Sequence, residues 1–117
     1  MNGMSPQLQN EIKQYQQVQQ QLQAVTSQHM QLGSQQKEMK KTVEELGKAK
    51  DDVYKSVGAV LIKVSDKDAL KSDMEESLEM LDIRVRGLEK QEKDLRERFT
   101  SLQENINKAM GNVTPGN

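Results

Sequence analysis

The sequence contains no cysteine, which excludes disulfides and cysteine-ligated metals. It has no tryptophan, and Tyr15, Tyr54 and Phe99 are its aromatic residues. No basic run is interleaved with them, so a stacking platform for single-stranded nucleic acid is not expected. His29 is the single histidine, which leaves too little for a metal site or a nucleophile–base pair. The glycines are scattered and form no phosphate-binding loop. A net charge of -1 over 117 residues gives no electrostatic reason for a nucleic-acid or acidic-membrane partner. The longest apolar run, Ala59–Ile62, is far short of the roughly 20 residues of a membrane span. The opening residues 1–6 carry neither a basic nor an apolar signal region. The expectation is a soluble cytoplasmic protein that is not an enzyme, with no cofactor, no metal, no nucleic-acid partner and no membrane partner.

Only 33% of the residues are hydrophobic and 30% are charged. That is thin for a globule, but a helical pair buries only a seam. The periodicity supports the pair. Tyr15, Leu22, His29, Gln36 and Val43 recur every seventh residue, with Val18, Val25, Leu32, Met39 and Leu46 offset by three. A later segment repeats the pattern. Met74, Leu81, Leu88, Leu95, Leu102 and Ala109 form one series, and Leu78, Val85, Glu92, Phe99 and Ile106 the other. Ser5 before Pro6 predicts an N-cap, and Gly47 a C-cap. Asp66 or Asp68 can start the second helix, and Gly111 is expected to end it. The expected bounds are residues 6–47 and 68–110, each roughly 55–65 Å long at about 1.5 Å per residue, with a flexible tail over 111–117.

Between the helices, residues 53–64 are rich in β-branched side chains, which favours strand. Gly58-Ala59 fits a two-residue type II′ turn with glycine first. Val57 would then face Val60, Lys55 face Ile62 and Val53 face Val64. One face is apolar apart from Lys55, and the other carries Tyr54 and Leu61. The same register carried into the helices lays seam on seam: Leu22 on Leu95, Val18 on Phe99, Tyr15 on Leu102, His29 on Leu88 and Gln36 on Leu81. The fold class expected is therefore mostly α. A long antiparallel two-helix coiled coil is joined by a single β-hairpin. A lone hairpin is marginal in water, so hairpins from several chains are expected to join into an oligomeric β-barrel hub. Val53, Tyr54, Val57, Gly58, Val60, Leu61, Ile62 and Val64 are the candidate assembly residues.

The run Val-Tyr-Lys-Ser-Val-Gly-Ala-Val-Leu-Ile-Lys-Val, residues 53–64, resembles the hairpin signature of beta-class prefoldin subunits. The helix–hairpin–helix order and the Gln-rich first helix are similar too. Ala59 departs from the proline common there. The resemblance implies an ATP-independent chaperone, a holdase, in a hexamer of two alpha-class and four beta-class subunits. It implies non-native client proteins as ligands and a group II chaperonin as the recipient.

The free ends of the helices, where both chain termini meet, are the candidate client site. Within residues 1–36, Glu11 and Lys13 are the charged side chains; after Arg98 only Glu104 and Lys108 follow. Met1, Met4, Leu8, Ile12, Leu102, Ile106, Met110 and Val113 gather there, and methionine suits irregular apolar surfaces. Low charge lowers the cost of desolvating the site, and several arms bind together by multivalency. Leu8, Ile12, Leu102 and Ile106 could equally finish the seam. His29 is read as a partly satisfied seam residue or, with Gln36, a register device. Glu92 is expected to turn its carboxylate to water, with its pKa raised if buried instead. Lys37, Lys40, Lys41, Lys48 and Lys50 are read as a solvated face pairing with Glu38, Glu44 and Glu45. Gly33 and Gly87 are either bends or tolerated glycines. The competing functional reading is a structural coiled-coil adaptor that binds one folded partner. A membrane tether lacks its anchor.

Overall fold

The elements follow in the order α1 (Pro6–Lys48), β1 (Tyr54–Val57), β2 (Val60–Lys63) and α2 (Lys67–Val113). The computed structural model describes residues 4–113. α1 starts where Ser5 can cap it: the Ser5 Oγ accepts the Leu8 N–H at 3.0 Å, and the Ser5 carbonyl accepts the Gln9 N–H at 3.0 Å. Pro6 takes the first helical position, where its missing N–H costs nothing.

The two expected glycine stops are corrected. α1 runs through Gly47 to Lys48, and Gly47 does not take the left-handed conformation of a capping glycine. Among the described residues Gly58 alone has positive φ. The end of α1 is satisfied differently: the Lys67 ammonium donates to the Ala49 carbonyl, and the Ala49 N–H reaches Leu46 O at 3.4 Å. A cation at a helix C-terminus also suits the helix dipole. α2 begins at Lys67 with Asp66 as its cap, whose Oδ1 accepts the Ala69 N–H at 3.0 Å. It passes through Gly111 to Val113. Glycine inside a helix costs about 1 kcal/mol but breaks no hydrogen bond. Of the expected tail, residues 114–117 lie outside the described residues. Gly33 and Gly87 also sit inside unbroken helix, and a β-carbon at either would meet nothing within 4 Å. Packing does not require glycine at these positions.

β1 and β2 pair antiparallel with Tyr54 opposite Lys63, Lys55 opposite Ile62, Ser56 opposite Leu61 and Val57 opposite Val60. Gly58 has φ of 59° and Ala59 has none positive. This fits a type II′ turn and excludes type I′, which needs positive φ at both central residues. The Val64 N–H donates to the Val53 carbonyl at 2.8 Å, extending the ladder past the strands.

The chain forms two compact units. The terminal unit contains the described parts of Met1–His29 and Gly87–Asn117. Leu8, Val18, Val25 and Leu102 are buried there, Val18 with 2% exposure. The Tyr15 and Phe99 rings stack with centroids 4.6 Å apart and planes 24° from parallel. Such a pair adds about 0.5–1.5 kcal/mol beyond its burial. The hairpin register sets Tyr15 against Leu102 and Val18 against Phe99. A coiled-coil knob enters a hole of four residues, so Tyr15 also reaches the seam residue one turn along. The hairpin unit is Met30–Arg86, with Leu46, Leu81 and Val85 buried. Every residue assigned to the four heptad series is buried or half-buried.

Candidate client-binding and assembly surfaces

In the terminal unit the seam carries one polar layer. Glu92 is buried at 7% exposure. Its carboxylate does not point to water. A hydrogen bond from the Thr26 side chain holds its pKa below the ordinary 4.5, and this outweighs burial, which pushes the other way. The Arg96 guanidinium, 3.3 Å from Glu92 Oε1, and the His29 ring lower it further. Both parts of the sequence expectation for Glu92 are thus overturned: it is buried, and its pKa falls. The His29 ring lies between two carboxylates, with Nδ1 3.5 Å from Glu92 and Nε2 3.4 Å from Glu89. In the hairpin unit Gln36 donates through its side-chain amide to Asp82 Oδ1, the neighbour of the Leu81 it was set against. The heptad series omit Glu89 and Asp82. They flank the seam, and a polar residue in the facing seam was the available signal for them.

The downward shift fixes a sign. A carboxylate whose folded pKa is depressed contributes stability above its unfolded pKa, and that contribution is lost as pH falls through the folded value. The melting temperature of the native chain should therefore exceed that of Glu92→Gln near neutral pH, and the gap should narrow as pH falls below the ordinary carboxylate range. Thermal melts at stepped pH give the gap directly. A gap that is constant, or that widens in acid, would refute this account of the layer.

The lysines of α1 behave differently from expectation. Lys37, Lys40, Lys41, Lys48 and Lys50 are exposed, yet among the described residues none closes an ion pair with Glu38, Glu44 or Glu45. Long exposed side chains gain little from such pairs. The observed pairs in this unit are Lys63 with Asp52 at 3.5 Å and Lys71 with Glu75 at 4.0 Å.

The candidate tip residues are placed as follows. Leu8 and Leu102 are buried in the terminal unit. Ile12 and Ile106 are half-buried and line one groove of about 360 Å³ together with Tyr15. Met4 is half-buried and Met110 is 49% exposed. Met1 lies outside the described residues. Val113 ends α2, and its side chain is also outside them.

The candidate assembly residues remain open to solvent. Tyr54, Val57, Val60, Leu61 and Ile62 are 47–70% exposed, Leu61 the most. Val53 and Val64 are half-buried. Val57, Ile62 and Val64 line a groove of about 320 Å³ against Ala69 and Leu70 in the first turns of α2. Sequence reasoning passed over Met30, Met80 and Ile83, which are 63–72% exposed on the helices. They lie off both heptad series, which is the signal that could have found them. No helix among the described residues is long and apolar enough to cross a membrane.

Comparison with known proteins adds an independent finding. A family model described as "Prefoldin subunit" matches residues 9–112. The chain is 55% identical over 109 residues to the prefoldin subunit beta of Methanococcus vannielii, covering 92% of this chain and 96% of that one. It is 47% identical over 115 residues to the prefoldin subunit beta of Methanocella arvoryzae, covering 97% and 90%. Its fold is similar to the crystal structure of the prefoldin beta subunit from Thermococcus strain KS-1. There the TM-score is 0.79 at 34% identity, covering 93% and 96% of the two chains.

Proposed function

This chain belongs to the prefoldin subunit family, in its beta class, and from that premise we propose that it acts as an ATP-independent holdase. The family is one of chaperone subunits, so the chain is not an enzyme. In this reading it works in the cytoplasm, within a hexamer of two alpha-class and four beta-class subunits. It binds non-native proteins at the free ends of its helices and passes them to a group II chaperonin. The observation that carries the client-binding reading is the stretch from Gln14 to Gln36, which holds no Asp, Glu, Lys or Arg, beside an open groove floored by Ile12, Tyr15 and Ile106. Uncharged surface is cheaper to desolvate than charged surface, and weak contacts from several arms sum by multivalency. The exposed hairpin residues support the hub, because contiguous exposed apolar surface of this kind marks an interaction site.

A second reading, a structural adaptor that binds one folded partner, is favoured by Met80 and Ile83. They are 68% and 63% exposed and lie three residues apart on one helix face. Light scattering separates the two. A chemically denatured protein is diluted, without ATP, into the complex of this chain with its alpha-class partner. A parallel complex lacks residues 1–19 and 103–117, which removes the groove. The expected result is suppression of aggregation by the intact complex and its loss, with assembly retained, in the trimmed one. Equal suppression by both would move the site inward along the helices. No suppression by a confirmed assembly would leave the adaptor.

A further inference from the structure

The groove in the terminal unit has two kinds of lining. Its half-buried floor is Ile12, Tyr15 and Ile106. The rest of its lining is four exposed carboxamides, Gln16 and Gln19 from α1 and Gln103 and Asn107 from α2. None of the four makes a hydrogen bond among the described residues. Among the described residues no charged side chain lines the groove, although 30% of the residues in the chain are charged.

A carboxamide offers both donors and an acceptor and no charge, the same equipment as a peptide group. We propose that this groove recognises the main chain of an extended, uncharged client segment. An apolar client side chain enters the floor, while the flanking client N–H and C=O groups pair with the amides on both walls. The inference rests on the holdase reading and deepens it by naming what the site reads. A purely apolar groove would strip water from the client backbone and leave its polar groups unpaired, which is costly. Amides on the walls remove that cost. They also impose no preference for client charge, whereas lysines or glutamates there would select clients of opposite sign. The dimensions agree. From Ile12 to Gln19 the helix rises about 10 Å at about 1.5 Å per residue. That is the length of about three extended residues at about 3.3 Å each. Folded proteins have already paired such backbone groups, so the groove discriminates for non-native chain by chemistry that any sequence carries.

The test uses the assembled complex and a pair of labelled peptides, each ten residues of valine, leucine and threonine. One has a normal backbone and the other is N-methylated at alternate residues, which removes donors and keeps the side chains. Fluorescence anisotropy is expected to show about tenfold weaker binding of the methylated peptide, the loss of about one to two net hydrogen bonds. A complex carrying Gln16→Met, Gln19→Met, Gln103→Met and Asn107→Leu should bind the normal peptide weakly and no longer tell the two apart. Pure apolar capture predicts the opposite sign, because these near-isosteric changes enlarge the apolar surface. Equal binding of the two peptides by the native complex, tighter binding by the variant, or failure to bind either peptide would each overturn the inference. The peptide pair on native protein decides this even if the variant does not fold. Aggregation suppression measured on the same preparations keeps the two readings apart. Suppression without backbone discrimination sinks only this inference, while absent suppression sinks the holdase beneath it.

Discussion

Leu61→Glu is expected to leave the chain folded and helical but unable to assemble. Leu61 is 70% exposed and stands opposite Ser56 on the face that also carries Tyr54. So exposed a side chain contributes little to its own chain, and surface changes of this kind fall within about 0.5 kcal/mol. In the proposed shared sheet the same position would be covered by a neighbouring subunit. Burying a leucine there contributes about 1.5–3 kcal/mol per copy, and the glutamate would add the cost of an unpaired charge at the interface. Since about 1.4 kcal/mol is a factor of ten in affinity, each contact should weaken by at least about tenfold to a hundredfold. Repetition around the proposed hub would multiply the effect. Sedimentation velocity of the mixture with an alpha-class partner should show separated subunits, while circular dichroism of the chain alone stays near native. A complex of native mass formed by Leu61→Glu at micromolar concentration would remove the hairpin from the hub.

The hairpin and the seam were legible because each is set by a local rule. Gly58 is the residue whose turn conformation needs positive φ, so the Gly58-Ala59 pair fixed the register by itself. The heptad series says which positions face inward, and the burial of Val18, Val25, Val85 and Leu102 follows it. It says nothing of where a helix stops. Gly47 and Gly111 stand where caps are expected, but glycine caps a helix only when the chain must turn left-handed there. Lys67 on the Ala49 carbonyl supplies the end of α1 from outside the helix.

The polar layer was illegible for a related reason. An inward position fixes where a side chain begins, not what its far end meets. Glu92 reads as a defect on a leucine stripe, yet Thr26, His29 and Arg96 converge on its carboxylate. Two of those three lie on the other helix, so no spacing within either segment reveals them. The candidate tip split along the same line. Leu102, on a heptad series, and Leu8, one heptad before Tyr15, are buried, whereas the amides beside Ile12 and Ile106 belong to no periodic pattern and form a site only once the helices pair.

Val18→Asp is expected to unfold the helix pair of the terminal unit, and its neighbour Gln17→Asp to do almost nothing. Val18 has 2% exposure and Gln17 is exposed, so the same carboxylate is introduced one residue apart on the same helix. At Gln17 the charge stays hydrated, and the cost should be within about 0.5 kcal/mol. At Val18 the transfer free energy of the valine is lost, about 1.5–3 kcal/mol. The carboxylate must then either sit unpaired in the seam or take up a proton, each adding cost. The side chain is too short to reach out past the flanking residues, as a lysine would. With about 1–3 kcal/mol for the buried polar group, the sum is about 2.5–6 kcal/mol, comparable to the lower end of the about 5–15 kcal/mol total stability of a typical domain. Thermal melts followed by circular dichroism should show Gln17→Asp near native and Val18→Asp with much of its helix lost at room temperature. Partial recovery in acid is expected as well, because a neutral carboxyl is cheaper to bury than a charged one. A Val18→Asp melt within a few degrees of native would mean that the stability of this unit does not reside in the seam, and the heptad account of the fold would fail with it.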